Sequence, residues 1–174
     1  YGMQIAGRTV VSDLGNEATI MPIAEITDSS SIRVFRFNPG AASFGDGRAR
    51  ISSVTLVSTD GRSLVQIEGG ENVCLRVEAG VYADLDSPVV GFFLKDKLGQ
   101  YLFGTNTYLH GAGPRPPVRA GQRLLAEFAF RMPWLPVGKY SFDVALANGT
   151  HAEHVQSDWV FDWLVIESVT STVS

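Results

Sequence analysis

Six residues in the second half of the chain have side chains of the kinds that sugar-binding sites use. An aromatic ring can stack on the apolar face of a sugar ring, and planar amide, carboxylate and guanidinium groups can hydrogen-bond to its hydroxyl groups. Lys95 is a further polar candidate in the same region. The residues that we predict to contact such a ligand are Tyr101, Asn106, Tyr108, Arg131, Trp134 and Asp143.

Two carboxylates, Glu127 and Asp143, lie on the outward sides of successive predicted strands. A pair of carboxylates on one sheet face could supply the acid and the base of a glycosidase. Each of them also has basic residues near it in the pattern, so we favour solvated cross-strand ion pairs. We therefore predict no catalytic residues, and a glycan-cleaving enzyme remains the alternative.

Other common catalytic and metal-binding motifs are absent from the sequence. Gly138 and Lys139 are followed by Tyr140 instead of a serine or threonine, so the chain has no phosphate-binding loop. Cys74 is the single cysteine, which excludes an internal disulfide and a cysteine-based zinc site. The His-Ala-Glu-His segment at residues 151–154 follows an Asn-Gly turn, which favours a polar loop. We predict no metal and no cofactor.

The composition is typical of one globular domain with a packed core. The 174 residues are 45% hydrophobic and 18% charged. A net charge of −4 without clustered basic residues argues against nucleic-acid binding. No apolar run is long enough to span a bilayer. Because the chain begins with tyrosine instead of methionine, we expect it to be part of a longer protein.

Alternating apolar and polar residues predict short β-strands from residue 48 onwards, without a sustained helical period. A hairpin within residues 87–111, turning at Gly99, lies at the centre of this pattern. We predict that Tyr101 and Phe103 share one face of this hairpin. Residues 50–59 and 63–67 are predicted to pair as a second hairpin through an Asp-Gly turn.

The last predicted strand covers residues 158–167. Short strands between glycine and proline turns are typical of two packed antiparallel sheets. We therefore predict an all-β fold, an immunoglobulin-like or jelly-roll antiparallel β-sandwich, over residues 32–174. Residues 1–31 lack a sustained period, and we predict an N-terminal arm or linker without an independent fold. The side chains predicted to share one side of the last strand are Trp159, Phe161, Trp163 and Val165.

Two segments resemble a known family. Residues 102–107 read Leu-Phe-Gly-Thr-Asn-Thr, and residues 135–142 read Leu-Pro-Val-Gly-Lys-Tyr-Ser-Phe. Both, in this order, resemble segments of the C-terminal polysaccharide-binding domain of Wzt-type ABC transporter subunits, which export O-antigen chains in bacteria. The resemblance extends over roughly residues 48–167.

The resemblance implies a non-catalytic domain that recognises a bacterial O-polysaccharide near its non-reducing end for export. It implies a homodimer. The last predicted strand is long, apolar and near the C terminus, so we expect exchange or pairing of this strand with a partner's sheet edge as the route. Its other partners would be the nucleotide-binding and transmembrane parts of the transporter, at the cytoplasmic face of the inner membrane. ATP hydrolysis would then belong to an N-terminal domain outside this chain. The remaining alternative is a structural module that assembles by strand exchange.

Overall fold

The computed structural model describes residues 3–13, 18–20, 24–26, 47–107, 117–149 and 154–170. These residues form eleven β-strands and no α-helix, which confirms the predicted all-β sandwich. In chain order the strands are β1 (Ile5–Asp13), β2 (Ala18–Ile20), β3 (Ala24–Ile26), β4 (Ala49–Ser58), β5 (Gln66–Ile67), β6 (Asn72–Val81), β7 (Pro88–Asp96), β8 (Tyr101–Asn106), β9 (Gln122–Arg131), β10 (Gly138–Gly149) and β11 (His154–Ser168).

The strands form two sheets. The six-stranded sheet has the order β2-β1-β9-β6-β4, with β3 also pairing with β1, and all its pairs are antiparallel. The five-stranded sheet has the order β5-β11-β10-β7-β8, and the short β5–β11 pair is its parallel one. Each sheet therefore has an inner face that meets the other sheet and an outer face.

The core between the sheets is built from the inward side of each alternating strand. Phe92 lies at its centre, and its ring centroid is 5.0–6.3 Å from those of four other phenylalanines. Burying one such side chain stabilises the fold by about 1.5–3 kcal/mol, so this group contributes strongly to sheet-on-sheet packing. The four surrounding rings belong to Phe103, Phe128, Phe130 and Phe142.

The predicted central hairpin is confirmed as β7 and β8, but the prediction that two of its aromatic residues share a face is wrong. A register shift occurs between Leu94 and Lys95. It places the Tyr101 ring on Phe93, outside the sandwich, with centroids 4.7 Å apart. Phe103 is instead buried in the core. One extra residue in a strand moves every later side chain to the face opposite to the one that simple alternation predicts.

The predicted hairpin of residues 50–59 and 63–67 is largely wrong. Only the bridge between Val57 and Ser63 follows it. The chain then leaves the six-stranded sheet, and β5 pairs in parallel with the end of β11. Ile67 is buried in the core, and this burial fixes the crossing from one sheet to the other.

The strict alternation predicted for the last strand is also wrong. Val160 and Leu164 of β11 pair with Val144 and Phe142 of β10, so β11 contains two extra residues at this point. The irregularity includes Asp162, which has a φ of 52°. Phe161 is exposed, whereas Trp163 packs against the core next to Leu164.

A regular strand occurs within the segment that we assigned to an arm or linker. Strand β1 pairs with β9 over nine residues, from Ile5 opposite Phe130 to Asp13 opposite Gln122. Ile5 is buried in the core, so this strand belongs to the sandwich. The proposed boundary at residue 31 lies outside the described residues and stays a prediction.

Candidate functional site

A group of polar side chains surrounds Asp143 on the outer face of the five-stranded sheet. Asp143 lies in β10 between two core residues, Phe142 and Val144, and so its side chain points out of the sandwich. It is nevertheless only 1% exposed, because residues of the neighbouring strands cover it. We call this group the Asp143 cluster: Asp143, Lys95, Tyr101, Ser141 and Asp162.

The Asp143 carboxylate accepts hydrogen bonds from three strands. Lys95 Nζ lies 2.9 Å from Oδ1, and the Asp162 backbone N–H donates to the same oxygen at 2.9 Å. The Tyr101 hydroxyl donates to Oδ2 at 3.1 Å. These bonds satisfy a charge that would otherwise be costly to bury, and they fix the two side chains that reach the surface.

Lys95 also pairs with Asp162, at 3.0 Å between Nζ and Oδ1, and the Ser141 hydroxyl donates to that oxygen at 2.8 Å. Burial alone would lower the pKa of Lys95, but hydrogen bonds to Asp143 and Asp162 raise it above its ordinary value. The hydrogen bonds from Lys95 and Ser141 lower the pKa of Asp162. Lys95 and Asp162 therefore both keep their charges at neutral pH.

The irregular part of β11 completes this arrangement. Asp162 adopts a left-handed backbone conformation, which short polar residues tolerate better than branched ones. In this conformation its backbone N–H is directed at Asp143 and its carboxylate at Lys95. A regular strand would not bring both groups of one residue to the cluster.

Two exposed aromatic rings flank the Asp143 cluster. Tyr101 is 43% exposed and stacks on Phe93, while Phe161 is 37% exposed with the Lys95 ammonium 5.4 Å from its centroid. Gly104 of β8 makes room for Phe93, since a β-carbon there would lie 2.8 Å from the Phe93 ring. Burial, followed by the charge of Asp143, raises the pKa of Tyr101 to about 12 and keeps the phenol a donor.

Trp134 and Arg131, which we predicted to belong to the same site, lie at a different place. Trp134 is 70% exposed, and its ring covers Gly69 and Gly70, both of which have positive φ. A β-carbon on Gly70 would be 2.9 Å from this ring and 3.5 Å from the Arg131 guanidinium. Arg131 Nε donates to the Gly70 carbonyl at 3.1 Å. We call these four residues the Trp134 corner.

The remaining predicted contacts are in other surroundings. Asn106 is 2% exposed and, in this structure, presents no open polar edge to a ligand. Tyr108 lies outside the described residues. Of the six predicted residues, the structure thus brings Tyr101 and Asp143 together in one group and Arg131 and Trp134 together in another.

Sequence reasoning missed Asp162, Ser141 and Phe161 as members of the site. Alternation along β10 could have found Ser141, which is two residues before Asp143 on the same face. The irregularity of β11 breaks that period, and no sequence signal locates it. Phe161 and Asp162 could therefore be found only in the structure.

Glu127 and Asp143 point away from each other, because one lies on the outer face of the six-stranded sheet and the other on that of the five-stranded sheet. Arg8 Nε donates to Glu127 Oε1 at 2.6 Å, and Arg76 Nε lies 3.3 Å from Oε2. These arginines are its ion-pair partners, so the predicted ion pairing is correct in kind but the partners differ. A carboxylate pair at glycosidase spacing is not formed by these two residues.

Cys74 is half-buried beside Glu127, at 3.9 Å from Sγ to Oε2. Burial, and then the Glu127 charge, raises the pKa of its thiol to about 11, so the thiol stays protonated near neutral pH. Within the described residues, no group of three metal-ligating side chains is found. No membrane-spanning helix occurs in the described part of the chain.

The fold defines an all-β sandwich domain with charged and aromatic groups on its outer faces. A sequence model of the Wzt C-terminal domain matches residues 40–174. The chain therefore belongs to the Wzt C-terminal domain family and is a domain of an ABC transporter subunit.

The solved structures that are similar to the chain include the following two. The crystal structure of the C-terminal domain of Wzt aligns with a TM-score of 0.65 and 20% identity, over 83% of this chain and 87% of that one. This similarity supports the fold. A family 123 glycoside hydrolase from Clostridium perfringens aligns with a TM-score of 0.42 and 8% identity, over 71% of this chain and 28% of that one. No curated protein matches the chain by sequence.

Proposed function

We propose that this domain binds an O-antigen polysaccharide, near its non-reducing end, and holds it for export by the ABC transporter. The observation that carries the proposal is the Asp143 cluster with Tyr101 and Phe161 exposed beside it. A sugar ring stacked on these aromatic residues would bring its hydroxyl groups to Lys95 and Asp162, which offer a donor and an acceptor. Family membership supports a transport role without catalysis.

The geometry favours weak but selective binding. The site is an open sheet face, and hydroxyl groups that bond to it give up bonds to water, so each contact yields little net free energy. Selectivity would come from preorganisation, because Asp143 fixes the positions of Tyr101 and Lys95 before the ligand arrives.

A homodimer would compensate for weak single sites, because linked sites raise the effective concentration of the ligand. Strand β11 offers a route. Within the described residues, β5 covers only its end at Glu167 and Ser168, so most of that edge has no described neighbour. We propose dimerisation through this C-terminal strand and association with the nucleotide-binding and transmembrane parts at the cytoplasmic face of the inner membrane.

The test is calorimetric titration of the chain with a panel of purified bacterial O-polysaccharides. We expect saturable binding to one of them, without release of new reducing ends. Tyr101→Ala should weaken this binding about tenfold, which corresponds to about 1.4 kcal/mol. Tyr101→Phe keeps the ring and removes the hydroxyl, so it separates stacking from hydrogen bonding.

Tyr82→Ala is the matched control, because Tyr82 is 65% exposed and does not belong to the Asp143 cluster. It should leave the affinity unchanged. Equal weakening by Tyr82→Ala and Tyr101→Ala would contradict a site at the Asp143 cluster. Release of reducing ends would instead favour the glycan-cleaving alternative.

A further inference from the structure

The outer face of the six-stranded sheet has a row of small residues across three adjacent strands. Ala129 of β9 lies opposite Ala6 of β1 on one side and Cys74 of β6 on the other. Ala129 is exposed, and these residues form the floor of a depression of about 590 Å³. We call this depression the outer trough.

Polar residues line part of the outer trough, and a charged group lies next to it on the same face. On one side, Arg131 of β9 pairs with Asn72 of β6, and Gln4 also lines the depression. Next to the trough, two residues before Ala129 along β9, Glu127 lies between Arg8 and Arg76. Glu127 and Arg131 are four residues apart along β9, which is about 13 Å at the usual rise per strand residue.

The charge of the outer trough is opposite to that of the chain as a whole. Beside the trough, Glu127 faces two arginines, Arg8 and Arg76, so this neighbouring group keeps a surplus of one positive charge. Arg131 adds another, and among the described residues no carboxylate lies within ion-pairing distance of it. Arg131 is thus the charged side chain among the described residues that line the trough, in a chain whose net charge is −4.

Arg131 is also held in position for a planar anion. Its Nε is bound to the Gly70 carbonyl at 3.1 Å, which leaves the terminal nitrogens of the guanidinium for a ligand. Trp134 lies against the same glycine, so an exposed indole stands beside this guanidinium. A carboxylate can accept two parallel hydrogen bonds from arginine, and a sugar ring can stack on indole.

We propose that the outer trough binds an acidic sugar unit, whose carboxylate pairs with Arg131 while its ring stacks near Trp134. The ligand class rests on the proposed function, but the trough lies on the opposite face of the sandwich from the Asp143 cluster. The domain would therefore read two features of a glycan at two separate surfaces. The isolated charge favours a carboxylate-bearing saccharide over nucleic acid, because a polyphosphate backbone needs many clustered cations.

The experiment compares two probes that share one backbone. Polygalacturonate carries a carboxylate on each sugar, and its fully methyl-esterified form carries none. We expect the chain to bind the acidic form and not the ester in calorimetry at low ionic strength. Added salt should weaken the binding, because it screens exposed charges.

Arg131→Gln tests the assignment, and Arg123→Gln is its control. Arg123 lies on the same strand and the same face, outside the trough, so both variants lose one exposed positive charge. We expect Arg131→Gln to weaken polygalacturonate binding at least about tenfold, which is the loss of affinity expected when a hydrogen bond to a charged group is removed. Arg123→Gln should change it less than about twofold by screening. Arg131→Lys should recover only part of the affinity, because lysine lacks the bidentate fork.

The proposal is overturned if the acidic probe does not bind, or if both glutamine variants weaken it equally. Urea unfolding of each variant verifies that the fold is intact. Titration with O-polysaccharides and the Tyr101→Ala variant tests the proposed function separately. O-polysaccharide binding that depends on Tyr101, together with acidic-probe binding that does not depend on Arg131, would contradict the trough alone. Acidic-probe binding that depends on Arg131, together with O-polysaccharide binding that Tyr101→Ala leaves unchanged, would contradict the Asp143 site alone.

Discussion

Asp143 and Glu127 are both outward-facing carboxylates in the middle of a strand, yet the net charge of the group around each one differs in sign. The Asp143 side chain is fully buried, and one lysine is shared between it and a second carboxylate. The Glu127 side chain is 13% exposed and lies between two arginines. Residues on adjacent strands, and not the alternation that places a carboxylate outward, therefore decide the charge of each face.

The largest expected difference between the two faces is in stability. Asp143→Ala removes the acceptor for Lys95, Tyr101 and the Asp162 backbone, and breaking a buried charge pair in this way costs about 3–5 kcal/mol. Glu127→Ala leaves two arginines whose side chains are about 40% exposed, so we expect a loss of about 1 kcal/mol or less. Urea unfolding of the two variants measures the difference.

Asp143→Asn serves as the isosteric control, since it keeps the shape and removes the charge. Its free energy of unfolding should lie between those of the wild type and Asp143→Ala. Equal destabilisation by Asp143→Ala and Glu127→Ala would show that burial does not distinguish the two groups.

Substitutions of one glycine in each sheet compare how tightly the two sheets are packed. A β-carbon at Gly104 would overlap the Phe92 carbonyl oxygen and press on the Phe93 ring, so Gly104→Ala should destabilise by about 1–3 kcal/mol. A β-carbon at Gly80 of the six-stranded sheet would lie 3.3 Å from the Tyr82 hydroxyl, at the end of an exposed side chain that can move.

Gly80→Ala should therefore change the free energy of unfolding by less than about 1 kcal/mol. Thermal unfolding can rank the two variants. If Gly104→Ala proved as stable as Gly80→Ala, the tight contact between β7 and β8 that supports Tyr101 would be refuted.

The smallest expected effect is the loss of stability at low pH that is due to Asp162. The pKa of Asp162 is lowered in the folded state, so its contribution to stability is present above the ordinary aspartate value of about 4 and is lost as the pH falls through the folded pKa. Its side chain is 60% exposed, and solvent screening keeps the contribution below about 1 kcal/mol.

Asp162→Asn should remove this contribution while keeping a residue that tolerates the left-handed conformation. We expect the variant to lose less stability than the wild type between pH 7 and pH 3 in urea unfolding. An unchanged or steeper loss in the variant would contradict the ion pair between Lys95 and Asp162.

Sequence patterns predicted most of the fold. Alternation located β6 and β9 to within three residues, because each has one face in the core and a more exposed outer face. It also located β10, although the outward side chains of β10 are largely buried. The hairpin of β7 and β8 followed from its turn at Gly99. The crossing of β5 could not be predicted, since its partner Glu167 lies about a hundred residues away in the sequence.

The candidate site was less predictable than the fold. The chemistry of the side chains assigned Tyr101, Asp143, Trp134 and Arg131 to one predicted site, and nothing in the sequence separates them into the two surfaces that the structure has. The expected alternation of side chains between the two faces of a strand breaks down at the register shift near Lys95 and at Asp162. Both irregularities redirect side chains toward the Asp143 cluster. Strand bulges are common next to functional sites, where they change the direction of a side chain.

The position of β11 in its sheet has a consequence for how the polypeptide acquires its fold during synthesis. This strand is the last in the described chain, yet it lies between β5 and β10. Strand β1 likewise cannot pair with β9 until more than a hundred further residues have been synthesised. Such distant pairings slow folding and leave apolar strands without partners on the ribosome. We therefore expect the sandwich to close in one late step, after β11 has emerged, with chaperones shielding the earlier strands until then.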